Sequence, residues 1–594
     1  MNSDMYNINL NDIFKNNKEF LECIDEVNAM ILNIVKYKGN VCNDEKTLYE
    51  VLELNEEIGI KINSLYIYAH VRYDLDLSNT DAGIKYGKVM NIYNDYNNRV
   101  AFLVPEILEN DESKILGYIN SYDKLGKYER LLKEIYRTKK HMLSKEEEAI
   151  ISSFGDAIRG AGEIGSKLND VDLKFDSILN EKGKEVKVTH SSYQVLLENK
   201  NRKVREDAFK SMYKSYKEVN ETFTETIKNH VKVRNNLAKI RKYDSAFSME
   251  LDGNNVKEEI YTNLIEFVNE NLNKLHKQYK LRKKVMGVSK LHMYDMNAPL
   301  IKSYSKKYSY EDAMNLVIET TKILGTEYSD VIKKSFSNRW IDVTSGINKR
   351  SGAYCTCNYS THPYVLLNFE ENYENVSTLA HELGHAMHYY YAQKYNSYSD
   401  YNYSIFVAEV ASQVNEILLL DYVMKNSNDE KEKISLLNQT LKDFRNIIGR
   451  QTMFAEFEKN IYDYDNSGEI ITSEYLNTTY FDLVKKYFGK SVAVDKEIMY
   501  EWSRIPHFYY DFYVYQYATG YVAALKIAND IINNVPGSLD KYLEFLKLGC
   551  TKDPVESLKV AGVDMLDKKV YEDAFKVYED ALNKFEKCIV RKNK

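Results

Sequence analysis

His381, Glu382, Leu383, Gly384 and His385, read within STLAHELGHAMHYYY, have the types and spacing to do chemistry. In a helix, residues four apart lie about 40° apart around the axis. His381 and His385 therefore project from one face, one turn apart, with two imidazoles aimed at one point. That is the bite a zinc ion needs, and Glu382 stands where it can take a proton from a water at the metal. The chemistry this predicts is peptide-bond hydrolysis. The plainer alternative is a helix with two ordinary core or surface histidines.

A peptidase zinc needs a third protein ligand and an open position for water. The H-E-x-x-H-x-x-G-x-x-H arrangement is excluded, because Met387, His388 and Tyr391 occupy the positions where its glycine and third histidine would fall. The ligand must come from elsewhere. The segment SIFVAEVASQVNEILLLDYV (residues 404–423) is apolar nearly all round, which marks a buried helix. Glu409, Ser412 and Glu416 share one stripe of it. A carboxylate in such surroundings is costly unless it is paired or bound to a metal. Glu409 is the predicted third ligand. Glu416, two turns along, is read as orienting a ligand histidine, with an ion pair to Lys or Arg as the alternative. His388 also falls on the metal face of its helix, but three ligands from one helix would strain a tetrahedral site. It is read as a supporting or substrate-side group, or as a satisfied core histidine.

The last such element is EWSRIPHFYYDFYVYQYATGYVAAL (residues 501–525). Pro506 suits the first turn of a helix, and His507 and Tyr510 then share a face. When water attacks a peptide carbonyl, negative charge develops on oxygen and must be met by a donor such as a Tyr hydroxyl or a His N–H. Alone, an aromatic stripe of this kind is ordinarily core; beside the zinc motif it gains meaning. Tyr513 and Tyr517 are cleft-lining candidates only.

The elements that must position these residues are mostly helices. Only six prolines and 24 glycines punctuate 594 residues, so long helices are expected. Helical patterning runs to about residue 170, gives way to a small β-hairpin around EKGK within residues 171–190, and resumes at about Tyr193. Between residues 339 and 370, WIDV, SGAYCTCNY and PYVLLNF predict a small antiparallel sheet ending just before the HELGH helix. Its edge could pair with an extended peptide, or the strands could simply cap a helical core. No Pro- or Gly-rich linker divides the chain. A helical region over 1–200 and the motif-bearing region over 201–594 are therefore separated only softly, as parts of one continuous structure.

A net charge of −7 and a pI near 6.0 imply no general attraction to nucleic acid or anionic membrane. The amino terminus lacks the pattern of a signal peptide, and no apolar run is long enough to span a bilayer. A cytoplasmic protein is expected. Six scattered cysteines are too few for a disulfide framework. Cys355 and Cys357 form a C-x-C with no second pair nearby and are read as ordinary strand thiols.

STLAHELGHAMH, FVAEVASQVNE and RIPHFYYDFYVYQYATG resemble the three signatures of oligoendopeptidase F, in the thimet oligopeptidase family of zinc metallopeptidases (M3). MYDMNAPL (residues 293–300) and IDVTSGINKRSGAYC (residues 341–355) are similar to that subfamily as well. The likeness runs from about residue 200 to 585. It implies a mainly α fold with a deep central cleft, and one zinc bound by His381, His385 and Glu409. It further implies Glu382 as general base, His507 and Tyr510 at the substrate carbonyl and oxyanion, and short unfolded oligopeptides cut internally. The His₂Glu set favours zinc over manganese or cobalt. An exopeptidase using the same chemistry and an idle peptide-binding protein are the rival readings. No group that captures a peptide terminus stands out, and the full complement of ligand and base residues argues against an idle site.

Overall fold

The computed structural model describes residues 6–301, 304 and 306–592. Helices dominate it, as the scarcity of proline requires, and many begin on a side-chain cap. Asp44 opens the helix Glu45–Leu75, and Asn372 opens the motif helix Tyr373–Tyr395 by accepting the N–H of Asn375. Such caps satisfy N–H groups that the first turn leaves without an intrahelical partner. By contacts the chain divides into two compact units: residues 1–140, 306–425 and 527–563 form one, and residues 141–305, 426–526 and 564–594 the other.

In the first unit, the motif helix packs on a three-stranded sheet made of Ile341–Asp342, Tyr354–Cys357 and Pro363–Leu366. The sheet is mixed, not antiparallel throughout as the sequence pattern suggests. Tyr354–Cys357 pairs antiparallel with the central strand Pro363–Leu366, whereas Ile341–Asp342 pairs parallel with it. The reason lies in residues 343–353. Lys349 reaches back to Asp342 Oδ1 (2.6 Å), and Arg350 holds the buried Asp74 carboxylate (2.7 Å) on the helix Glu45–Leu75. Tied at these points, the connection is long enough to carry the chain past the central position, as a parallel pair demands. Tyr354–Cys357 is left as an edge strand.

The helix Ile405–Asn426 follows the motif helix. The turn between them is pinned at Asp400, whose carboxylate meets Arg130 (2.6 Å) and whose carbonyl accepts the N–H of Cys550 (2.9 Å). Both helices are buried on most of their surface, with Leu379, Leu383, Val410, Ala411 and Val414 fully enclosed.

The second unit packs helices such as Arg202–Glu218, Asn220–Ile240 and Gln451–Asn466 around a tyrosine-rich core. Its hairpin pairs Ile178–Leu179 with Glu185–Val186, close to where the sequence pattern puts one. Among the described residues, no helix is long and apolar enough to cross a membrane.

Candidate metal centre

The motif helix does what its spacing predicts. His381 and His385 stand one turn apart on one face, their ring centroids 4.9 Å apart. Glu409, on the next helix, brings its Oε2 to 3.4 Å from His381 Nε2 and 3.6 Å from His385 Nε2. Zinc bonds of about 2.0–2.2 Å in tetrahedral geometry put neighbouring ligand atoms roughly 3.3–3.6 Å apart. Both edges to Glu409 therefore already have nearly the spacing a zinc ion imposes, and all three donor atoms lie within 4.8 Å of one another. Among the described residues this is the one His/Cys/Asp/Glu cluster with such geometry.

Electrostatics agree with the spacing. Burial works against charge on Glu409, but His381, His385 and the Ser412 hydroxyl outweigh it and lower its pKa to about 2. His385 is held neutral, near 4, by burial and by His381. At His381 burial is overcome by Glu409 and Glu416, which favour positive charge and raise it to about 10. The carboxylates thus call for a cation at this point, and the donor set fits a divalent metal.

Gly384 lets Glu409 approach the two histidines. A Cβ there would lie 2.5 Å from Ser412 Cα and 2.6 Å from the Ala411 carbonyl oxygen, so the two helices touch backbone to backbone. One turn before that contact, Glu409 faces the histidines. Ser412 fixes the carboxylate by donating to Glu409 Oε2 (3.1 Å), and buried Asn415 locks the crossing by donating to the Ala380 carbonyl (3.1 Å). A glycine in mid-helix and an asparagine in an apolar helix were the available sequence signals for these two residues, and motif reading passes over both.

Glu416 Oε1 lies 3.6 Å from His381 Nδ1 and accepts the Ser377 hydroxyl (3.2 Å). It faces the far nitrogen of a ligand histidine and not a Lys or Arg, consistent with an orienting carboxylate. His388 is different. It is buried, stacks on Tyr403 at 3.7 Å and packs beside Phe545, with burial lowering its pKa to about 3. It is a neutral core histidine. Cys355 and Cys357 are free thiols on the edge strand, outside the cluster.

Glu382 is only 6% exposed, and its Oε2 has no hydrogen-bond partner. Burial, reinforced by Glu409 and Glu416, raises its pKa to about 7 against the opposing pull of His381. A buried carboxylate oxygen without a partner is expensive, and a carboxyl group so perturbed beside the His381–His385–Glu409 cluster marks a candidate functional group.

His507 and Tyr510 belong to the second unit. The helix predicted to open at Pro506 does not form as one piece. A 3₁₀ helix, Lys496–Arg504, breaks at Ile505, a second short one covers Pro506–Tyr509, and the α-helix starts only at Tyr515. Pro506 at its first turn and positive φ at Asp511 (49°) and Phe512 (56°) enforce the breaks. The two side chains still share a face, because residues three apart eclipse in a 3₁₀ turn; their rings are 5.5 Å apart. Tyr510 is 56% exposed, and burial lowers the pKa of His507, favouring its neutral form. Tyr513 stacks against His507 and Tyr517 meets it edge-on.

The left-handed pair is clamped from outside. Asp511 accepts from Tyr462 (2.7 Å), meets His230 Nε2 (2.8 Å) and pairs with Arg234 (2.9 Å), while the Phe512 N–H donates to buried Glu458 (2.8 Å). Each such backbone conformation costs about 1–3 kcal/mol and persists only where surroundings over-determine it. Nothing in the run FYYDFY announces these partners, which come from distant stretches of chain.

Donor spacing suited to a metal, with a buried carboxylate beside it on a mainly helical fold, is the arrangement of a metallopeptidase. Comparison with known proteins narrows the class. A family model described as Peptidase family M3 matches residues 195–577, and one described as Oligopeptidase F matches residues 106–175. The chain is 40% identical to Oligopeptidase PepF of Bacillus subtilis, over 98% of this chain and 87% of that protein. It is 36% identical to an Oligoendopeptidase F homolog of Lactococcus lactis, over 98% and 96%. Among solved structures, a peptidase from Chlamydophila abortus superposes with a TM-score of 0.92 at 31% identity, covering 99% of this chain and 98% of that one. Oligoendopeptidase-F from Enterococcus faecium gives 0.75 at 33%, covering 97% and 99%. The chain belongs to peptidase family M3 and is a metalloendopeptidase.

Proposed function

We propose that this enzyme cuts internal bonds of short, unfolded oligopeptides in the cytoplasm, using one zinc ion per chain. The observation that carries the reading is the unpartnered, buried Glu382 Oε2 beside the His381–His385–Glu409 cluster. The relatives' names, oligopeptidase and oligoendopeptidase, supply the substrate class.

His381 Nε2, His385 Nε2 and Glu409 Oε2 would hold the zinc. When bound, zinc supplies a Lewis acid that polarises a carbonyl and makes water acidic enough to deprotonate near neutral pH. Glu382 takes the proton of the attacking water on its free oxygen, then delivers it to the leaving amine. Tyr510 and His507 donate hydrogen bonds to the oxyanion as the carbonyl becomes tetrahedral. Glu416 and Ser412 keep their ligand side chains aimed. The unpaired side of the Tyr354–Cys357 edge strand offers backbone groups to an extended peptide, which favours segments without structure of their own.

An oligopeptide blocked at both ends, digested with and without chelator and followed by mass spectrometry, tests the reading. Internal products that vanish with chelator and return with zinc are expected. Glu382→Gln should retain zinc and lose about 10²–10⁴-fold in turnover. Cleavage only of peptides with a free terminus would make the enzyme an exopeptidase, and undiminished turnover in the Gln variant would remove Glu382 from its role.

A further inference from the structure

The second unit contains a cavity of about 400 Å³ whose charge is not balanced by its own walls. Three guanidiniums line it, Arg445, Arg450 and Arg504, against one carboxylate, Glu501. Two of them come from a π-helical segment, Arg445–Arg450, inserted between the helices Glu430–Phe444 and Gln451–Asn466. Such wide turns inside regular helices frequently mark functional sites. Here it turns Arg445, Asn446, Gly449 and Arg450 onto one wall.

Arg445 is the telling group. It is 7% exposed. Its hydrogen bonds all go to neutral acceptors: the Met296 carbonyl (3.0 Å), Asn297 Oδ1 (3.3 Å) and Asn446 Oδ1 (3.3 Å). Among the described residues no carboxylate lies within ion-pair distance of it, and none lies within that distance of Arg504, whose guanidinium instead faces the Tyr193 ring at 4.9 Å. Arg450 does have a partner, Glu501 (2.8 Å). Glu501, however, also accepts the hydroxyls of Tyr480 (2.6 Å) and Tyr213 (3.1 Å), so its charge is already shared. Behind this wall Arg282, 8% exposed, donates only to the backbone carbonyls of Asp295 and Ala298. Burial and the nearby Arg445 bring its pKa down to about 9. Charged groups are buried in proteins when something pairs with them, and Asp443, whose charge favours that of Arg445, stands beyond ion-pair distance.

We propose that the cavity is a binding site for a phosphoryl dianion, held by Arg445, Arg504 and the free donors of Arg450. Three guanidiniums against one carboxylate, Glu501, which acts on both Arg450 and Arg504, leave an excess of two positive charges, which a phosphate group balances near pH 8 and a single carboxylate does not. The guanidinium fork matches the oxygens of a phosphate in pairs. The volume is typical of small-molecule pockets and exceeds what a bare phosphate fills. The rings of Tyr193, Tyr279 and Phe488 add an apolar wall against which an organic body would rest. The ligand is therefore either free phosphate or a small phosphate monoester.

Isothermal titration of the full-length zinc enzyme at pH 8 and low salt tests it, with phenyl phosphate, inorganic phosphate, benzoate and phenol as probes. Phenyl phosphate should bind, and its Kd should rise at least tenfold in both Arg445→Gln and Arg504→Gln. The partly exposed Arg504 serves as the second variant should the buried Arg445 be needed for folding, which circular dichroism reports. Tighter binding of phenyl phosphate than of inorganic phosphate assigns the site to a monoester; equal binding assigns it to the free ion. No phosphoryl binding by the wild type, binding unchanged in the folded arginine variants, or benzoate binding as tightly as phenyl phosphate overturns the proposal. Unchanged binding in the variants also covers the case of phosphate held at the metal centre.

Discussion

Replacing Gly384 with Ala adds one methyl group, removes no ligand and changes no charge, yet it should cripple metal binding. The new Cβ would sit 2.5 Å from Ser412 Cα and 2.8 Å from Ser412 N. Carbon atoms not bonded to each other rest about 3.5–4.0 Å apart, so the helix Ile405–Asn426 must retreat by roughly 1 Å or more. Ser412 is three residues from Glu409, and the carboxylate retreats with it. The ligand edges of 3.4 and 3.6 Å would then open to about 4.4–4.6 Å, against the roughly 3.3–3.6 Å of a tetrahedral zinc site. Pulling them back means overpacking the crossing, at about 1–3 kcal/mol. Charged to metal binding, that is a five- to 150-fold loss of zinc affinity. A competition titration against a chromophoric chelator measures it. The sign of the stability change supplies a second readout. Gly→Ala in mid-helix ordinarily stabilises by about 0.5–1 kcal/mol, so a fall in Tm would oppose intrinsic propensity and mark the clash. A higher Tm together with zinc affinity within threefold of the wild type would refute the claim that Gly384 sets the ligand geometry.

Tyr510→Phe removes one oxyanion donor, and kcat should drop by about 10²–10³-fold with zinc content unchanged; an unaltered kcat in steady-state assays would exclude Tyr510 from that role. Glu416→Gln takes away the charge facing His381 Nδ1 and should weaken zinc binding by about 10–100-fold, measured by the same competition titration; affinity equal to the wild type would make Glu416 a bystander. Glu458 is fully buried, its pKa well above the usual range through burial, and its Oε2 has no partner. Its proton is kept in the fold and lost on unfolding, so its contribution to stability declines as pH rises above the unfolded carboxyl value, by at most about 1.4 kcal/mol per pH unit. Glu458→Gln still accepts the Phe512 N–H and escapes that penalty. Its Tm advantage over the wild type should be larger at pH 8 than at pH 5, and a gap that does not widen in thermal melts would show Glu458 to be ionised in the fold.

The metal cluster was largely legible because its signal is local. The i, i+4 spacing of His381 and His385 needs only a helix, and a helix needs only neighbours within a few turns. Glu409 could be found because a carboxylate among apolar residues demands an explanation wherever the helix packs. Glu416 followed from the same stripe. His388 lies on the same helix as the ligands, and its helical position alone could not separate a supporting role from a core one. The rings of Tyr403 and Phe545 decide that, and both come from other segments.

By itself the sequence determined the donor types, the helical class and the carboxylate beside the paired histidines, since each depends on residue identity and short-range periodicity. Tertiary structure decided the rest. The parallel strand Ile341–Asp342 depends on where residues 343–353 are tied, and the broken helix around His507 depends on partners that compensate Asp511 and Phe512. The closeness of Glu409 to the histidines depends on a backbone contact at Gly384. These are contacts between residues far apart in the chain, and spacing along a sequence carries no information about which distant surfaces will meet.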